Sequence, residues 1–158
     1  MLTAPAIDAG LATRLDRLGP GSLRARAADR LAVAHDASHY RMIPAGVVTV
    51  TDTDHLAGLM RLSRELGLPV GFRSGGTSLS GQASTQALLL DTRRHFRAIE
   101  VLDRGLRVRV QPGATVRQVN ARLARHARRL GPDPASEAAC TLGGVIRSEE
   151  HTSELQSP

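Results

Sequence analysis

Residues 70–81 read Val-Gly-Phe-Arg-Ser-Gly-Gly-Thr-Ser-Leu-Ser-Gly, an apolar run followed by an arginine, paired glycines and several hydroxyl side chains. Glycine adopts positive φ without strain, so successive backbone N–H groups can point to one place and form a concave anion site. Arg73 adds a planar cationic fork that suits phosphate oxygens, and Thr77, Ser78 and Ser80 add short donors. The stretch predicts a phosphate-binding loop. The alternative is an ordinary glycine–serine turn between two strands.

The residues before the loop predict a β-α-β unit. Residues 47–50 contain three valines, which is typical of a strand. Residues 51–54, Thr-Asp-Thr-Asp, predict a helix N-terminus with Thr51 as the N-cap and an acidic residue three positions later. Gly67 predicts the end of that helix, and residues 69–72 predict a second strand that leads into the loop. The expected apolar positions of the helix are Leu56, Leu59, Met60 and Leu66.

Beyond the loop, the pattern predicts a strand, a hairpin and a long helix. The strand covers residues 87–91. In the hairpin, apolar and polar residues alternate on both sides of Asp103-Arg104-Gly105, whose glycine suits a positive φ. The helix is expected to begin at about Thr115 and to end at Gly131. Its apolar face consists of Val116, Val119, Leu123 and Leu130, and its arginines lie mostly off that face.

A second turn of small and hydroxyl residues follows the helix. Pro132-Asp133-Pro134 predicts an extended segment, and residues 139–144, Ala-Cys-Thr-Leu-Gly-Gly, predict the turn. Two glycine–hydroxyl turns, each placed after a βα element, can converge on one ligand. The pair is therefore more informative than either turn alone.

Composition limits what the chain can be. Its 158 residues suit one modest domain, and an aromatic content of 2% requires an aliphatic core. All 21 basic residues are arginines, which is compatible with a nucleic-acid-binding module. The arginines are spread along the chain, however, and few aromatic side chains are present to stack on bases. We therefore attribute the arginines to coding bias and expect no nucleic-acid partner.

The cysteine count and the N-terminus predict the compartment. Cys140 stands alone, so it forms no intrachain disulfide, and no metal-ligand spacing occurs, which fits a reducing cytoplasm. Residues 1–40 predict short helices without a signal-peptide pattern, and no segment has membrane-spanning length. We expect a soluble cytoplasmic protein. His95 and His126 are expected to be solvated.

Three familiar site patterns are excluded. No Gly-Lys-Ser/Thr occurs, so the loop is not a Walker A motif. The glycines at positions 71, 75, 76 and 81 do not fit the Rossmann fingerprint, and a strand rather than a helix is expected next. A serine-hydrolase elbow needs a glycine where Ser80 stands.

Four motifs occur in a fixed order: residues 73–81, residues 110–113 (Val-Gln-Pro-Gly), residues 131–134 (Gly-Pro-Asp-Pro) and residues 140–144 (Cys-Thr-Leu-Gly-Gly). Together they resemble the FAD-binding domain of the vanillyl-alcohol oxidase and p-cresol methylhydroxylase (PCMH) type. Over residues 36–146 the chain is most similar to bacterial FAD-linked D-2-hydroxyacid dehydrogenases of the D-lactate, glycolate and 2-hydroxyglutarate types. The resemblance implies an α+β fold, a β-α-β subdomain plus a β-hairpin of a PCMH-type FAD-binding domain, here truncated.

The resemblance also implies a cofactor and its contacts. The FAD pyrophosphate would be wrapped, mainly through backbone N–H groups, by Arg73, Ser74, Gly75, Gly76, Thr77 and Ser78. The cofactor would be lined from the other side by Pro132, Pro134, Thr141, Gly143 and Gly144. Some members attach flavin covalently through a histidine where Thr77 stands, so FAD is expected to be held noncovalently. The implied reaction oxidises a 2-hydroxyacid to a 2-oxoacid and passes the electrons to an acceptor. Some members carry an iron–sulfur region.

Residues 147–158 depart from the family pattern. They read Arg-Ser-Glu-Glu-His-Thr-Ser-Glu-Leu-Gln-Ser-Pro and resemble a translated sequencing adapter. The alternative is a genuine polar C-terminus. The expected organisation is an N-terminal helical segment (1–40), a partial FAD-binding domain (41–146) and a non-native tail (147–158).

The family's catalytic base and substrate-binding arginines would lie beyond residue 146. No catalytic residue is therefore assigned, and the chain by itself is expected to be inactive. Two alternatives remain open on the residues alone: a basic nucleic-acid-binding module, and a phosphate-binding module without redox chemistry.

Overall fold

Four strands form a mixed sheet in the computed structural model, which describes residues 7–154. They are β1 (Leu23–Arg24), β2 (Gly46–Thr49), β3 (Val70–Arg73) and β4 (Leu88–Asp91). Their order is β1-β2-β4-β3, with β1 antiparallel to β2 and the other three strands parallel. The predicted β-α-β unit is present, but β4 is inserted between its two strands. The carboxyl ends of β2, β4 and β3 therefore meet at one edge of the sheet, and the glycine loop starts there.

Two helices cover one face of this sheet, α1 (Ala9–Leu18) and α3 (Thr53–Leu66). The core between them and the strands includes Leu11, Leu15, Val48, Val50, Leu59, Leu62, Leu88 and Leu90. The predicted helix is confirmed, and Gly67 ends it with a φ of 60°. Its N-cap is Asp52, whose carboxylate accepts the His55 N–H at 2.8 Å, and not Thr51.

Two residues expected on the apolar face of α3 lie outside the core. Met60 and Leu66 are 42% and 45% exposed. The helical spacing is regular, but the apolar stripe that contacts the sheet is narrower than the set of apolar residues. Leu59 and Leu62 form the contact, and Met60 follows one position round the helix.

The N-terminal segment contributes more than helices. Short strand β1 adds an edge to the sheet, with Leu23 opposite Val48. After α2 (Ala27–Leu31), Val33 packs with Val47 and Leu89 on the sheet face opposite α1 and α3. Successive side chains of a strand point to opposite faces of the sheet, so Val47 and Val48 are buried in different clusters. Residues 1–6 lie outside the described part of the chain.

A hairpin and two helices form a second core. Strands β5 (Ile99–Leu102) and β6 (Arg107–Val110) pair antiparallel, with Ile99 opposite Val110. The predicted hairpin is confirmed, and its turn has positive φ at Asp103, Arg104 and Gly105. Helices α4 (Val116–Leu123) and α5 (Leu142–Glu154) complete the unit. The buried residues are Ala114, Val116, Val119, Leu123, Cys140, Leu142 and Val145.

The predicted long helix is shorter than expected. Thr115 caps α4 in a capping box with Gln118, but the helix ends at Leu123 and one 3₁₀ turn follows. Ala127 then adopts a φ of 51°, which directs the chain back. The Leu130 N–H donates to the Asn120 side chain at 2.9 Å, and Leu130 packs on the second core. Leu130 thus reaches the predicted core through a loop.

Helix α5 runs from Leu142 across residue 146 to Glu154. Its described buried residues, Leu142 and Val145, lie before residue 147. The interpretation of residues 147–158 as a non-native tail stays a prediction, and residues 155–158 fall outside the described part. Among the described residues, no helix has the length and apolarity needed to cross a membrane.

Candidate functional site

The loop that follows β3 presents a row of backbone donors. Within the described chain, the N–H groups of Gly76, Thr77 and Ser78 donate no intramolecular hydrogen bond. These three residues are half-buried, and Gly76 has a φ of 70°. Backbone N–H groups left free in such a turn can bind the oxygens of an anion. The loop therefore fits the phosphate-binding role predicted for it.

The two glycine–hydroxyl turns contact each other directly, which brings together the two turns that the sequence predicts to converge on one ligand. The Gly75 N–H donates to Thr141 Oγ1 at 2.9 Å. The Ser74 hydroxyl donates to the Pro112 carbonyl at 3.0 Å, and the Gly143 N–H donates to the same oxygen at 3.1 Å. Three segments that are far apart in the sequence thus meet at one seam. We define this seam as Ser74, Gly75, Pro112, Thr141 and Gly143.

Two glycines of the seam are needed for close approach rather than for positive φ. A Cβ atom at Gly75 would lie 2.8 Å from the Ala139 carbonyl oxygen and 3.2 Å from Cys140 Cα. A Cβ atom at Gly143 would lie 2.7 Å from Pro112 Cβ. The expectation of positive φ holds for Gly76 but not for Gly75.

The Arg73 side chain does not lie where the sequence predicts it, as a guanidinium that faces a bound phosphate. Its side chain is only 8% exposed, because the guanidinium points into the chain beneath the loop. It donates to the carbonyl oxygens of Val33 (3.1 Å), His35 (2.8 Å) and Ala83 (3.4 Å). Burial lowers the pKa of this guanidinium, and the nearby charge of Arg93 acts in the same direction. Its described hydrogen bonds therefore hold the backbone together.

The remaining predicted residues fall into separate groups. The Ser78 hydroxyl accepts the N–H groups of Ser80 and Gln82, both at 3.2 Å, and so shapes the loop from within. Gly144 lies in the first turn of α5, and a Cβ atom there would meet nothing within 4 Å. Pro134 is half-buried, and its carbonyl oxygen accepts a hydrogen bond from the Glu137 N–H at 3.0 Å. No hydrogen bond in the described chain joins Pro132 or Pro134 to the loop.

Sequence reasoning missed the residues that hold the far end of the loop. The Asp36 carboxylate accepts the Ala83 N–H at 3.2 Å. The Tyr40 ring packs on Gly81, where a Cβ atom would lie 2.5 Å from Tyr40 Cδ2. The only local signal is the positive φ that Gly81 needs (75°), and this does not reveal its partner. The contacts come from a segment about 40 residues earlier.

A second polar cluster lies at the same sheet edge, at the end of β4. Asp91 is 5% exposed and receives two hydrogen bonds from the Arg93 side chain, at 2.7 and 3.1 Å. Burial alone would raise the pKa of Asp91, but the hydrogen bonds and charge of Arg93 outweigh it and lower that pKa. The two charges satisfy each other, so we interpret the cluster as structural. His95 beside it is exposed, as is His126, in agreement with the expected solvated histidines.

Comparison with known families agrees with this geometry. Residues 44–156 match the family described as "FAD binding domain". This match contains the loop after β3, the seam and most of both cores.

The chain is also similar to parts of curated dehydrogenases and oxidases. The D-2-hydroxyglutarate dehydrogenase of Haemophilus influenzae is 32% identical over 133 residues, which is 82% of this chain and 13% of that protein. The glycolate oxidase subunit GlcD of Escherichia coli K12 is 33% identical over 111 residues, 69% of this chain and 22% of that protein. The chain thus spans less than a quarter of the length of these relatives.

Solved structures with the same fold are distant in sequence. An alkyldihydroxyacetonephosphate synthase superimposes with a TM-score of 0.75 at 19% identity, covering 91% of this chain and 30% of that one. A p-cresol methylhydroxylase with substrate bound gives a TM-score of 0.69 at 16% identity, covering 85% and 28%. At these identities the likeness concerns the fold alone.

Proposed function

The chain belongs to the FAD binding domain family, and from this premise we propose that it is the cofactor-binding part of an oxidoreductase that converts a 2-hydroxyacid to a 2-oxoacid. The observation that carries the proposal is the seam. It brings a loop whose Gly76, Thr77 and Ser78 N–H groups donate to nothing in residues 7–154 against a second glycine–hydroxyl turn. Such a paired arrangement suits a long ligand with a pyrophosphate in its middle.

The residues of this chain fit FAD in distinct ways. The N–H groups of Gly76, Thr77 and Ser78 would bind pyrophosphate oxygens, and Gly76 has the positive φ that a concave anion site of this kind uses. The buried positive charge of Arg73 lies against Gly76, where it favours a bound anion without touching it. When bound, FAD accepts a hydride equivalent from the substrate carbon, and the protein supplies binding, orientation and electrostatics.

The substrate class is inferred from the relatives. Their names specify 2-hydroxyglutarate and glycolate, which share a hydroxyl group on the carbon next to a carboxylate. The substrate site, the proton-transfer groups, the electron acceptor and any iron–sulfur region would be supplied outside the 158 residues. We propose that the chain alone binds no substrate productively, and that the intact protein acts in the cytoplasm.

Noncovalent binding of FAD is part of the proposal. The side chain of Thr77 ends in a hydroxyl and a methyl group, so it has no imidazole nitrogen to form a histidyl–flavin bond. Acid precipitation of the intact protein is therefore expected to release all of the flavin into the supernatant. Flavin that stays with the precipitate would contradict this point and leave the rest of the proposal standing.

The experiment that tests the function uses the intact protein that carries this chain. Purified protein is mixed anaerobically with D- and L-forms of short 2-hydroxyacids and with glycolate, and the visible flavin absorbance is followed. We expect at least one 2-hydroxyacid to bleach the flavin, and a redox dye to restore it. Bound flavin that no 2-hydroxyacid reduces would refute the substrate class.

A flavin-free protein would refute the oxidoreductase itself. Binding to DNA or RNA with an affinity that falls steeply with salt would then favour the nucleic-acid-binding module.

A matched control is the Gly76→Val variant of the same protein. It is expected to lose flavin and turnover together.

A further inference from the structure

Deepening the proposed function on which it rests, we propose that Arg73 and Asp36 are positioning residues that hold the FAD loop in its binding conformation from beneath. In this role neither side chain contacts the cofactor, which replaces the direct phosphate contact expected of Arg73 from the sequence. The loop concerned runs from Ser74 to Ala83, and both of its ends are tied to the segment between Val33 and Tyr40. This segment precedes the sheet strand β2 and so lies outside the loop's own β-α-β unit.

Arg73 connects three pieces of chain at once. One amino group of its guanidinium donates to Val33 and Ala83, and the other donates to His35. The start of the loop is therefore fixed to its own end and to the N-terminal segment. A planar fork with several donors is suited to this, whereas a lysine ammonium cannot span the same acceptors in one plane.

Asp36 completes the anchor from the other side. Its carboxylate accepts the Ala83 N–H, while the Arg73 guanidinium donates to the Ala83 carbonyl oxygen. Both polar backbone groups of Ala83 are thus held by this pair of side chains. Burial alone would raise the pKa of Asp36, but hydrogen bonds from Ser38 and Ala83 outweigh it and lower that pKa, so the carboxylate stays an acceptor to a more acidic pH than an ordinary aspartate.

The middle of the loop rests on the same support. A Cβ atom at Gly76 would lie 2.6 Å from Arg73 Nη2, and one at Gly81 would meet the Tyr40 ring. The loop backbone at Gly76 and Gly81 therefore lies directly on two side chains. If Arg73 moved, Gly76 would lose the surface that fixes its φ of 70°.

The test compares Arg73→Lys with Arg61→Lys in the intact protein. Arg61 is exposed on α3 and serves as the matched control. Three quantities are measured on the apoprotein: the melting temperature, hydrogen exchange in residues 74–84, and the affinity for added FAD. We expect Arg73→Lys to weaken FAD binding about tenfold or more, since the lysine cannot replace all the hydrogen bonds of the guanidinium. Exchange should accelerate in residues 74–84 and stay unchanged in the β5–β6 hairpin.

Two outcomes would overturn the proposal. If Arg73→Lys binds FAD like the control, the fork geometry is not needed. If FAD binding weakens while exchange in residues 74–84 is unchanged, Arg73 acts on the cofactor itself. Should Arg73→Lys fail to fold, Asp36→Ala is subjected to the same measurements, with Asp29→Ala as its control. If the unaltered protein binds no FAD, the proposed function fails, whereas the exchange measurement still decides whether the loop is anchored.

Discussion

Gly75 and Gly76 are adjacent, yet each is required for its own reason. Gly76 has a φ of 70°, which costs an L-residue about 1–2 kcal/mol, and it rests on Arg73. Gly75 faces the backbone of the second turn at the seam, where a side chain has no space. One residue shapes the loop, and the other lets the loop reach its partner.

Valine at either position is therefore expected to abolish FAD retention. Gly76→Val strains φ and displaces Arg73, and Gly75→Val pushes the two turns apart. The flavin content of the purified intact protein measures the effect. Gly131→Val is the matched control, because nothing lies within 4 Å of a Cβ atom there and φ is not in the left-handed region. Normal flavin content in both loop variants would refute the role assigned to the loop.

His55 is a buried base with a constrained ring. It is 5% exposed, and its Nδ1 accepts the Thr51 N–H at 3.3 Å. Its Nε2 has no hydrogen-bond partner among the described residues. Burial lowers the pKa of His55, and the charge of Asp52 opposes this only in part. Protonation would place a second donor against the Thr51 N–H, so the folded state favours the neutral ring.

Stability is therefore expected to fall as the pH drops below about 6.5, the ordinary pKa of histidine. In that range the unfolded chain binds a proton that the folded chain resists, so acid shifts the equilibrium toward unfolding. Melting temperatures between pH 5.5 and 8 measure the effect. His55→Asn keeps an acceptor near Thr51 and does not titrate, so its profile should be flatter. An identical slope in both proteins would contradict the assignment.

Helix α4 supplies three of the buried residues of the second core, and its first turn is fixed by a capping box. Thr115 accepts the Gln118 N–H at 3.2 Å, and the Gln118 side chain accepts the Thr115 N–H at 3.1 Å. The next residue, Val116, is fully buried, and its N–H donates to the Cys140 carbonyl beside the seam. The start of α4 therefore helps to place the second turn.

Thr115→Ala is expected to lower the free energy of unfolding by about 1 kcal/mol, the usual effect of removing an N-cap hydroxyl. Urea denaturation of the protein measures this loss. Thr115→Ser keeps the hydroxyl and should remain close to the unaltered protein. Equal losses in the two variants would show that the methyl group, rather than the cap, is responsible.

Local patterns predicted most elements, because α3, β2 and the hairpin are defined by spacing within a few residues. They failed where a distant contact decides. Strand β1 has only two residues, too few for alternation, and exists because it pairs with β2. Helix α4 ends before its apolar pattern does. The chain turns back at Ala127, which adopts a positive φ, and an alanine in the sequence does not predict that conformation. Arg73 beside glycines has the same sequence whether it faces a phosphate or three carbonyls.

For the whole molecule, the important feature is that two cores meet at the candidate site. The sheet core lies under α1 and α3, and the second core lies between the hairpin, α4 and α5. The seam joins them through the Ser74–Pro112 and Gly75–Thr141 hydrogen bonds, each of which pairs a side-chain hydroxyl with a backbone group. A ligand bound across the seam touches both units, so its binding energy favours the state in which they are joined.

FAD is therefore expected to slow hydrogen exchange in both cores and not in the loop alone. At a free FAD concentration one hundred times Kd, the stabilisation should be about 2.7 kcal/mol. Exchange measured on the intact protein with and without FAD tests this. Protection confined to residues 74–84 would show that the cofactor contacts the loop without coupling the two cores.

The position of Cys140 has a practical consequence. It is the one thiol in the 158-residue chain, it is 4% exposed, and its backbone faces Gly75 across the seam. Its side chain packs in the second core, so a thiol-specific reagent can reach the sulfur only when that core opens locally. The rate of labelling at Cys140 therefore reports local opening of the second core beside the seam. Lower rates in the presence of FAD would show that the bound cofactor stabilises the closed state of this core.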